Sequence, residues 1–157
     1  MSEYRHVVRK WVKPEDLNQH GALFGGRLLQ WVDEEAAIVA VAQLGTIDVV
    51  TRHMSAIDFS ARADRGDLLE LEYRVAAFGR TSITLSCRVE NAVTGQQVLT
   101  LDRIVFVAVD AEGHAVAHGR TAATEGTERL RDPGAPARRG EHAAGAGEGG
   151  DRAAPDA

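Results

Sequence analysis

Apolar and polar positions follow two rhythms along this chain, and the change between them falls close to Gly45. From Leu28 onward, apolar or small residues fill nearly every side of a helical wheel (Leu28, Leu29, Val32, Ala36, Ala37, Val39, Ala40). That pattern predicts one long helix wrapped by other elements rather than lying on a surface. Farther on the period drops to two: Ile83, Leu85, Cys87 and Val89 alternate with Thr84, Ser86 and Arg88, as in a strand with one packed and one polar face. β-rich segments are expected over residues 49–59, 68–78, 82–91 and 98–109, with glycine or Asx turn chemistry between them. A meander is the simplest way to connect them, and its packed face would cover the helix. A first strand is expected over residues 5–12, where basic and apolar types alternate imperfectly.

The stretch between that strand and the helix carries the candidate chemistry. Pro14, Glu15 and Asp16 break the strand, and Leu17 to Gly21 continue as a loop toward the pair Gly25 and Gly26. Two adjacent glycines at a helix start let another group come close and leave free N–H groups pointing outward, where an anion would sit. Gly45 can adopt the left-handed conformation that closes a helix. Within the helix, Asp33 has small or polar residues three and four positions away (Gln30, Ala36, Ala37), Leu29 excepted, so its carboxylate would look into a narrow space. Asp33 can equally be a structural acid, and Asn18 beside a glycine can simply start a turn.

Composition narrows the partners. A chain of 157 residues has room for one domain with a proper core. Its 18 basic and 23 acidic residues give a net charge of -5, which argues against a general nucleic-acid or anionic-membrane surface. The one cysteine, Cys87, excludes an intrachain disulfide and is expected in the core. No signal-peptide or membrane-spanning run is visible, so a cytoplasmic location is expected. Residues 119–157 turn to Gly, Ala, Pro and charge, with Leu130 almost alone as a large apolar side chain, and are expected to form a disordered tail. Among the histidines, His20 lies beside Asn18, His53 falls in an expected strand, and His114 and His118 fall at the domain's far edge. No pair has metal-ligand spacing, so no metal is expected, and no Gly-x-Ser-x-Gly elbow offers a serine nucleophile.

Several of these residues together resemble a known pattern. They are Pro14-Glu15-Asp16, Asn18, Gly21, Phe24-Gly25-Gly26, Asp33-Glu34, Ile57-Asp58-Phe59, Gly66-Asp67, Gly79-Arg80-Thr81-Ser82 and Phe106 to Asp110. The chain resembles the hotdog fold, an α+β architecture with an antiparallel sheet wrapped around one long central helix. More narrowly, it is similar to the acyl-CoA thioesterases of the YciA and brain acyl-CoA hydrolase type. The resemblance assigns residues 1–118 to one thioesterase domain and leaves 119–157 outside it. It implies hydrolysis of acyl-CoA to a free fatty acid and CoA in a site shared between subunits. The family's catalytic aspartate falls on Asp33, its loop asparagine on Asn18, and the N–H that polarises the thioester carbonyl on Gly25 or Gly26. Arg80, with Thr81 and Ser82, falls where related proteins approach the CoA moiety. No cofactor is implied, since coenzyme A is part of the substrate. An obligate homodimer is expected, with a tetramer or hexamer left open, and neither nucleic acid nor membrane as partner. A non-catalytic acyl-CoA-binding hotdog protein is the alternative, and a hotdog dehydratase ranks below it because His20 precedes the helix.

The chemistry asks for the same groups. Thioester hydrolysis needs an activated water or a nucleophile, and it needs stabilisation of the charge on the carbonyl oxygen. A helix N-terminus meets the second need, and Asp33 meets the first as general base or by direct attack. Gly25 and Asp33 are separated by roughly 12 Å along one helix at about 1.5 Å per residue, too far to act on one carbonyl. Two helices across a two-fold axis would bring them together. Glu34 and Glu35 turn away from Asp33, one of them toward Arg27 or solvent, and Phe24, Trp31, Phe59 and Phe78 are the candidates for lining an acyl tunnel.

Overall fold

The computed structural model describes residues 4–125. Along the chain come β1 (Arg5–Trp11), a 3-10 turn (Pro14–Asp16), α1 (Gly25–Leu44), β2 (Val49–Met54), β3 (Asp58–Phe59), β4 (Leu68–Phe78), β5 (Ser82–Asn91) and β6 (Gln97–Ala108). The strands form one antiparallel sheet in the order β1-β4-β5-β6-β2, with β3 added beside β6. This is the expected hotdog arrangement of one helix on an antiparallel sheet.

The meander holds only for β4, β5 and β6. The long excursion through α1 frees the first two strands to take opposite edges, so β1 pairs with β4 and β2 with β6. Residues 49–59 are two short strands rather than one. Between them Ser55 pairs with Arg103 through its backbone N–H at 2.9 Å and accepts the Arg103 N–H on Oγ at 3.2 Å, a side-chain bond that replaces the regular ladder.

The packed side of the sheet follows the alternation in the sequence. Ile83, Leu85, Cys87 and Val89 are all buried, together with Leu71, Tyr73, Leu101 and Phe106 from neighbouring strands. Against them α1 buries Leu28, Val32, Ala36, Val39 and Ala40. The helix is covered on one side rather than wrapped: Gln30, Glu34 and Ile38, at four-residue spacing, form an exposed stripe. Burial pushes the Cys87 thiol up to about 12. No helix among the described residues is long and apolar enough to cross a membrane.

On the outer face, Glu72 is surrounded by Arg5, Arg74 at 2.8 Å and Arg88 at 3.8 Å. Burial pushes the Glu72 carboxyl up, but the hydrogen bonds and charges of Arg74 and Arg5 outweigh it and hold the group below the usual glutamate range. The helix ends at Gly45, whose φ of 71° is left-handed and whose N–H returns to the Val41 carbonyl at 2.9 Å. Just before it, the buried Gln43 donates from Nε2 to the Thr124 carbonyl at 2.7 Å and accepts the Thr124 N–H on Oε1 at 2.9 Å. Of the expected tail, residues 119–125 are therefore drawn back to the end of α1. The rest of that expectation, residues 126–157, lies outside the described residues.

Candidate active site

The helix start is assembled from three segments. The 3-10 turn presents Asp16, which accepts the Lys13 N–H on Oδ2 at 2.9 Å and lies 3.4 Å from the Arg27 guanidinium, while its carbonyl accepts the Phe24 N–H at 2.8 Å. The loop of residues 17–23 is tied to residues 62–64, the Leu23 N–H reaching the Ala63 carbonyl at 2.8 Å. Asn18 shapes that loop: Oδ1 accepts the N–H groups of His20 at 2.9 Å and Ala22 at 3.2 Å. The asparagine thus does the turn-forming work its sequence context suggests. With its oxygen committed, Nδ2 is the part of Asn18 left to meet a ligand.

At the first turn of α1 the N-cap residue is Phe24, whose side chain caps nothing. The N–H groups of Gly25 and Gly26 consequently have no partner among the described residues. The two glycines face different spaces. Gly25 and Asn18 line a groove of about 560 Å³ with Leu28, Phe59, Ala63 and Val98. Gly26 lines the neighbouring cleft, beside Asp16 and Arg27. The Phe59 ring stands over Gly25, 3.4 Å from where a Cβ would lie, so a larger residue would press on that ring. Of the four aromatic residues expected around the acyl chain, only Phe59 lines this groove; Phe24 borders the Gly26 cleft, Trp31 is buried near Arg9 and Lys10, and Phe78 packs near His118.

Asp33 occupies a second position, two turns along α1. Its Oδ1 accepts a hydrogen bond from Thr51 Oγ1 at 2.8 Å, and Oδ2 has no hydrogen-bond partner among the described residues. Thr51 belongs to β2, opposite the buried Phe106 of β6. The preceding turn is pinned from beneath: the buried Tyr73 hydroxyl donates to the Val32 carbonyl at 3.1 Å, and burial drives the pKa of that phenol far upward. Glu35 pairs with Lys10 at 2.8 Å, Glu34 accepts the Gln30 amide at 3.0 Å, and Arg27 is held by Asp16, so neither glutamate pairs with Arg27. Sequence reasoning missed Thr51, a polar residue in a strand with no motif around it.

The turn of Arg80, Thr81 and Ser82 lies elsewhere. His118 donates its N–H to the Arg80 carbonyl at 3.2 Å and places a ring nitrogen 3.0 Å from the Ser82 carbonyl, while the Thr81 carbonyl accepts the Ala108 N–H at 2.8 Å. Ser82 is opposite Val107 on β6, whereas Phe59 beside Gly25 is opposite Leu99. At about 3.4 Å per residue, those rows are separated by roughly 27 Å. One chain therefore brings Asn18 and Gly25 together, and Asp33 and Thr51 together, but does not unite the two pairs or bring Arg80 to the groove. His20 is exposed and outside the groove lining. Asp110, Glu112 and His114 cluster closely enough to hold a cation, but Asp110 Oδ1 already accepts the N–H groups of Glu112 and His114 in a turn.

Comparison with known proteins gives one consistent answer. Residues 20–97 match the family model of the thioesterase superfamily. The chain is 33% identical over 117 residues to YkhA of Bacillus subtilis (strain 168), described as an uncharacterized acyl-CoA thioester hydrolase, covering 73% of this chain and 67% of that one. An apo-hexameric acyl-CoA thioesterase superposes with a TM-score of 0.64 at 34% identity, covering 80% of this chain and 83% of that chain. An acyl-CoA hydrolase from Staphylococcus aureus, solved with butyryl coenzyme A, coenzyme A and coenzyme A disulfide, gives 0.63 at 28% identity over 72% and 68%. Variants of that enzyme with an aspartate, a threonine or an asparagine replaced by alanine have also been solved. Its asparagine and aspartate stand fifteen positions apart, and its threonine follows the aspartate by seventeen.

Proposed function

The chain belongs to the thioesterase superfamily and is an acyl-CoA hydrolase, and from that premise we propose that two copies of it share each active site, with Asp33 as the general base. The observation that carries this reading is the separation of two incomplete half-sites on one helix. Asn18 and Gly25 stand at its start, and Asp33 with Thr51 lies about 12 Å farther along its axis. Neither half is a thioesterase site alone. A second copy supplies the missing half when its helix runs past the first near the β2 edge. That edge has no further neighbouring strand among the described residues, and Val50 on β2, Ile47 just before it and Ile38 on α1 are exposed. Unpaired edges of this kind invite pairing with another chain. Hexameric assembly of a similar thioesterase is in keeping with such association.

In the proposed reaction the thioester carbonyl accepts a hydrogen bond from the Gly25 N–H, at the positive end of α1. Asp33 of the other copy takes a proton from water through Oδ2, while Thr51 holds Oδ1 and fixes the carboxylate's direction. The hydroxide oxygen bonds to the carbonyl carbon. The tetrahedral intermediate then expels the sulfur of coenzyme A, which takes up the proton from Asp33 as the free acid leaves. Asn18, with Oδ1 committed to the loop, donates from Nδ2 to the water or the thioester oxygen. No cofactor beyond the coenzyme A of the substrate is called for, and the Arg80–Ser82 turn is assigned to the CoA portion from the partner's side. Support for these roles comes from the similar enzyme's altered residues: its asparagine and aspartate have the spacing of Asn18 and Asp33, and its threonine lies one position closer to the aspartate than Thr51 does.

Thiol release from a panel of acyl-CoAs tests the activity, and subunit mixing tests the shared site. Asn18→Ala and Asp33→Ala proteins, each inactive alone, are expected to regain up to one working site per heterodimer when mixed. No recovery in verified heterodimers would overturn the shared site. Binding of acyl-CoA without turnover anywhere in the panel would overturn the catalytic reading in favour of a binding protein.

A further inference from the structure

One turn of α1 is tied to the sheet from three directions. Tyr73, fully buried on β4, donates its hydroxyl to the Val32 carbonyl at 3.1 Å. Thr51 on β2 donates to Asp33 Oδ1 at 2.8 Å, and Lys10 on β1 puts its ammonium 2.8 Å from Glu35 Oε1. β1 and β2 are the two ends of the strand order, and β4 lies between them. Residues 33 and 35 are separated by about 200° around a helix, so their side chains reach toward opposite edges while the Val32 backbone is held from below. The three bonds meet within four consecutive residues, and that short run carries Asp33.

The rest of the buried side of α1 has a different character. Leu28, Ala36, Val39 and Ala40 press on the sheet through apolar contact, which resists separation but not rolling, because hydrophobic attraction has no preferred direction. Hydrogen bonds do have one, and they weaken steeply when bent. A carboxylate about 5–6 Å from the helix axis moves by roughly 1 Å when the helix rolls by about 10°, and a displacement of that size can cost about 10²-fold in rate. Thr51 directs the tip of the side chain. Tyr73 and Lys10 hold the backbone from which it springs, one through the preceding carbonyl and the other through the residue two places on. Burial keeps the Tyr73 phenol protonated by driving its pKa far upward, so this donor persists at any ordinary pH.

We propose that Tyr73 and Lys10 are positioning residues for the reaction, fixing the roll of α1 so that Asp33 Oδ2 points at the water it deprotonates. They act through Asp33 rather than on the substrate. The inference rests on the general-base role proposed above for that aspartate.

The test measures kcat, KM and the inhibition constant of free coenzyme A for Tyr73→Phe, Lys10→Met and Lys10→Arg, at a temperature where each is folded by thermal unfolding. Tyr73→Phe keeps the ring in the core and removes only the hydroxyl. Lys10→Met keeps an apolar stem on an edge strand, and it carries the test should Tyr73→Phe fold poorly. Each is expected to lower kcat roughly tenfold, less than a full displacement would, with KM and inhibition within about twofold of native. Lys10→Arg should restore most of the rate. Tyr73→Phe and Lys10→Met are then each combined with Asp33→Asn, and the residual rate is read at high enzyme concentration. Turnover that no longer passes through a carboxylate has nothing left to misplace, so the second change should alter it by less than about twofold. The same tenfold factor in both backgrounds would overturn the proposal, since a general loss of structure acts on either. Native kcat in Tyr73→Phe or in Lys10→Met would overturn the role of that residue. Native turnover in Asp33→Asn is a different result: it removes the general base itself, and this inference with it.

Discussion

The two ends of α1 are finished in opposite ways. At the last turn the backbone is closed by Gly45 in the left-handed region, Gln43 holds the Thr124 backbone by two hydrogen bonds, and the Arg120 guanidinium lies against Gly45. At the first turn the cap position holds an exposed phenylalanine with no capping bond, and two glycines leave their N–H groups without partners. Open helix starts cost stability, which is why Ser, Thr, Asp or Asn usually occupies the cap. In the proposed reading the bare end is the one that meets the thioester. Stability should therefore respond to changes at the last turn, and turnover to changes at the first turn and at Asp33.

The largest effect expected is on turnover. Asp33→Asn should lower kcat by about 10²–10⁴-fold, the usual contribution of a general base, with the thermal midpoint little moved. A loss of folding in parallel with activity would show that Asp33 is a structural acid held by Thr51. At the other end, Gln43→Ala should lower stability by about 1–3 kcal/mol, because Thr124 loses both its partners and the buried helix end is left underpacked. Denaturant unfolding measures that loss, and the specific activity of the folded fraction should be retained. A smaller loss, about 1–2 kcal/mol, is expected for Gly45→Ala, where a side chain at a φ of 71° is strained and its Cβ would lie 2.8 Å from Arg120.

The smallest effect is on pH dependence and belongs to neither end. Glu72 ionises more readily in the folded chain than its ordinary value of 4.5, so its contribution is present above that value and is lost as pH falls through its lower folded pKa. Glu72→Gln should flatten the acid limb of a stability-versus-pH curve. An unchanged limb would mean that the arginines around Glu72 give it no net advantage in the native state.

Much of this architecture was legible because its causes are local. The alternation from Ile83 to Val89 and the largely apolar wheel after Leu28 depend only on neighbours a few positions away, and both mark buried faces in the structure. Gly45 likewise announced the end of the helix. What escaped depends on long-range placement. Thr51 reaches Asp33 only because β2 crosses to the β6 edge, and nothing near residue 51 signals that crossing. Gly25 and Gly26 look alike in sequence, yet a turn of about 100° sends one to the groove and the other to the Asp16 cleft. The exposed stripe of Gln30, Glu34 and Ile38 was hidden by small residues on every side of the wheel, which permit wrapping without requiring it within one chain.

Cys87 has a practical bearing on how this enzyme is measured. It is the chain's one cysteine, it is 2% exposed, and burial pushes its thiol up to about 12, so almost none of it is thiolate near neutral pH. Disulfide reagents that turn coloured on meeting a free thiol should ignore the native protein and register the coenzyme A it liberates. The same reagent becomes a reporter of unfolding once the sheet opens, so one cuvette can follow product and protein integrity with a single chromophore.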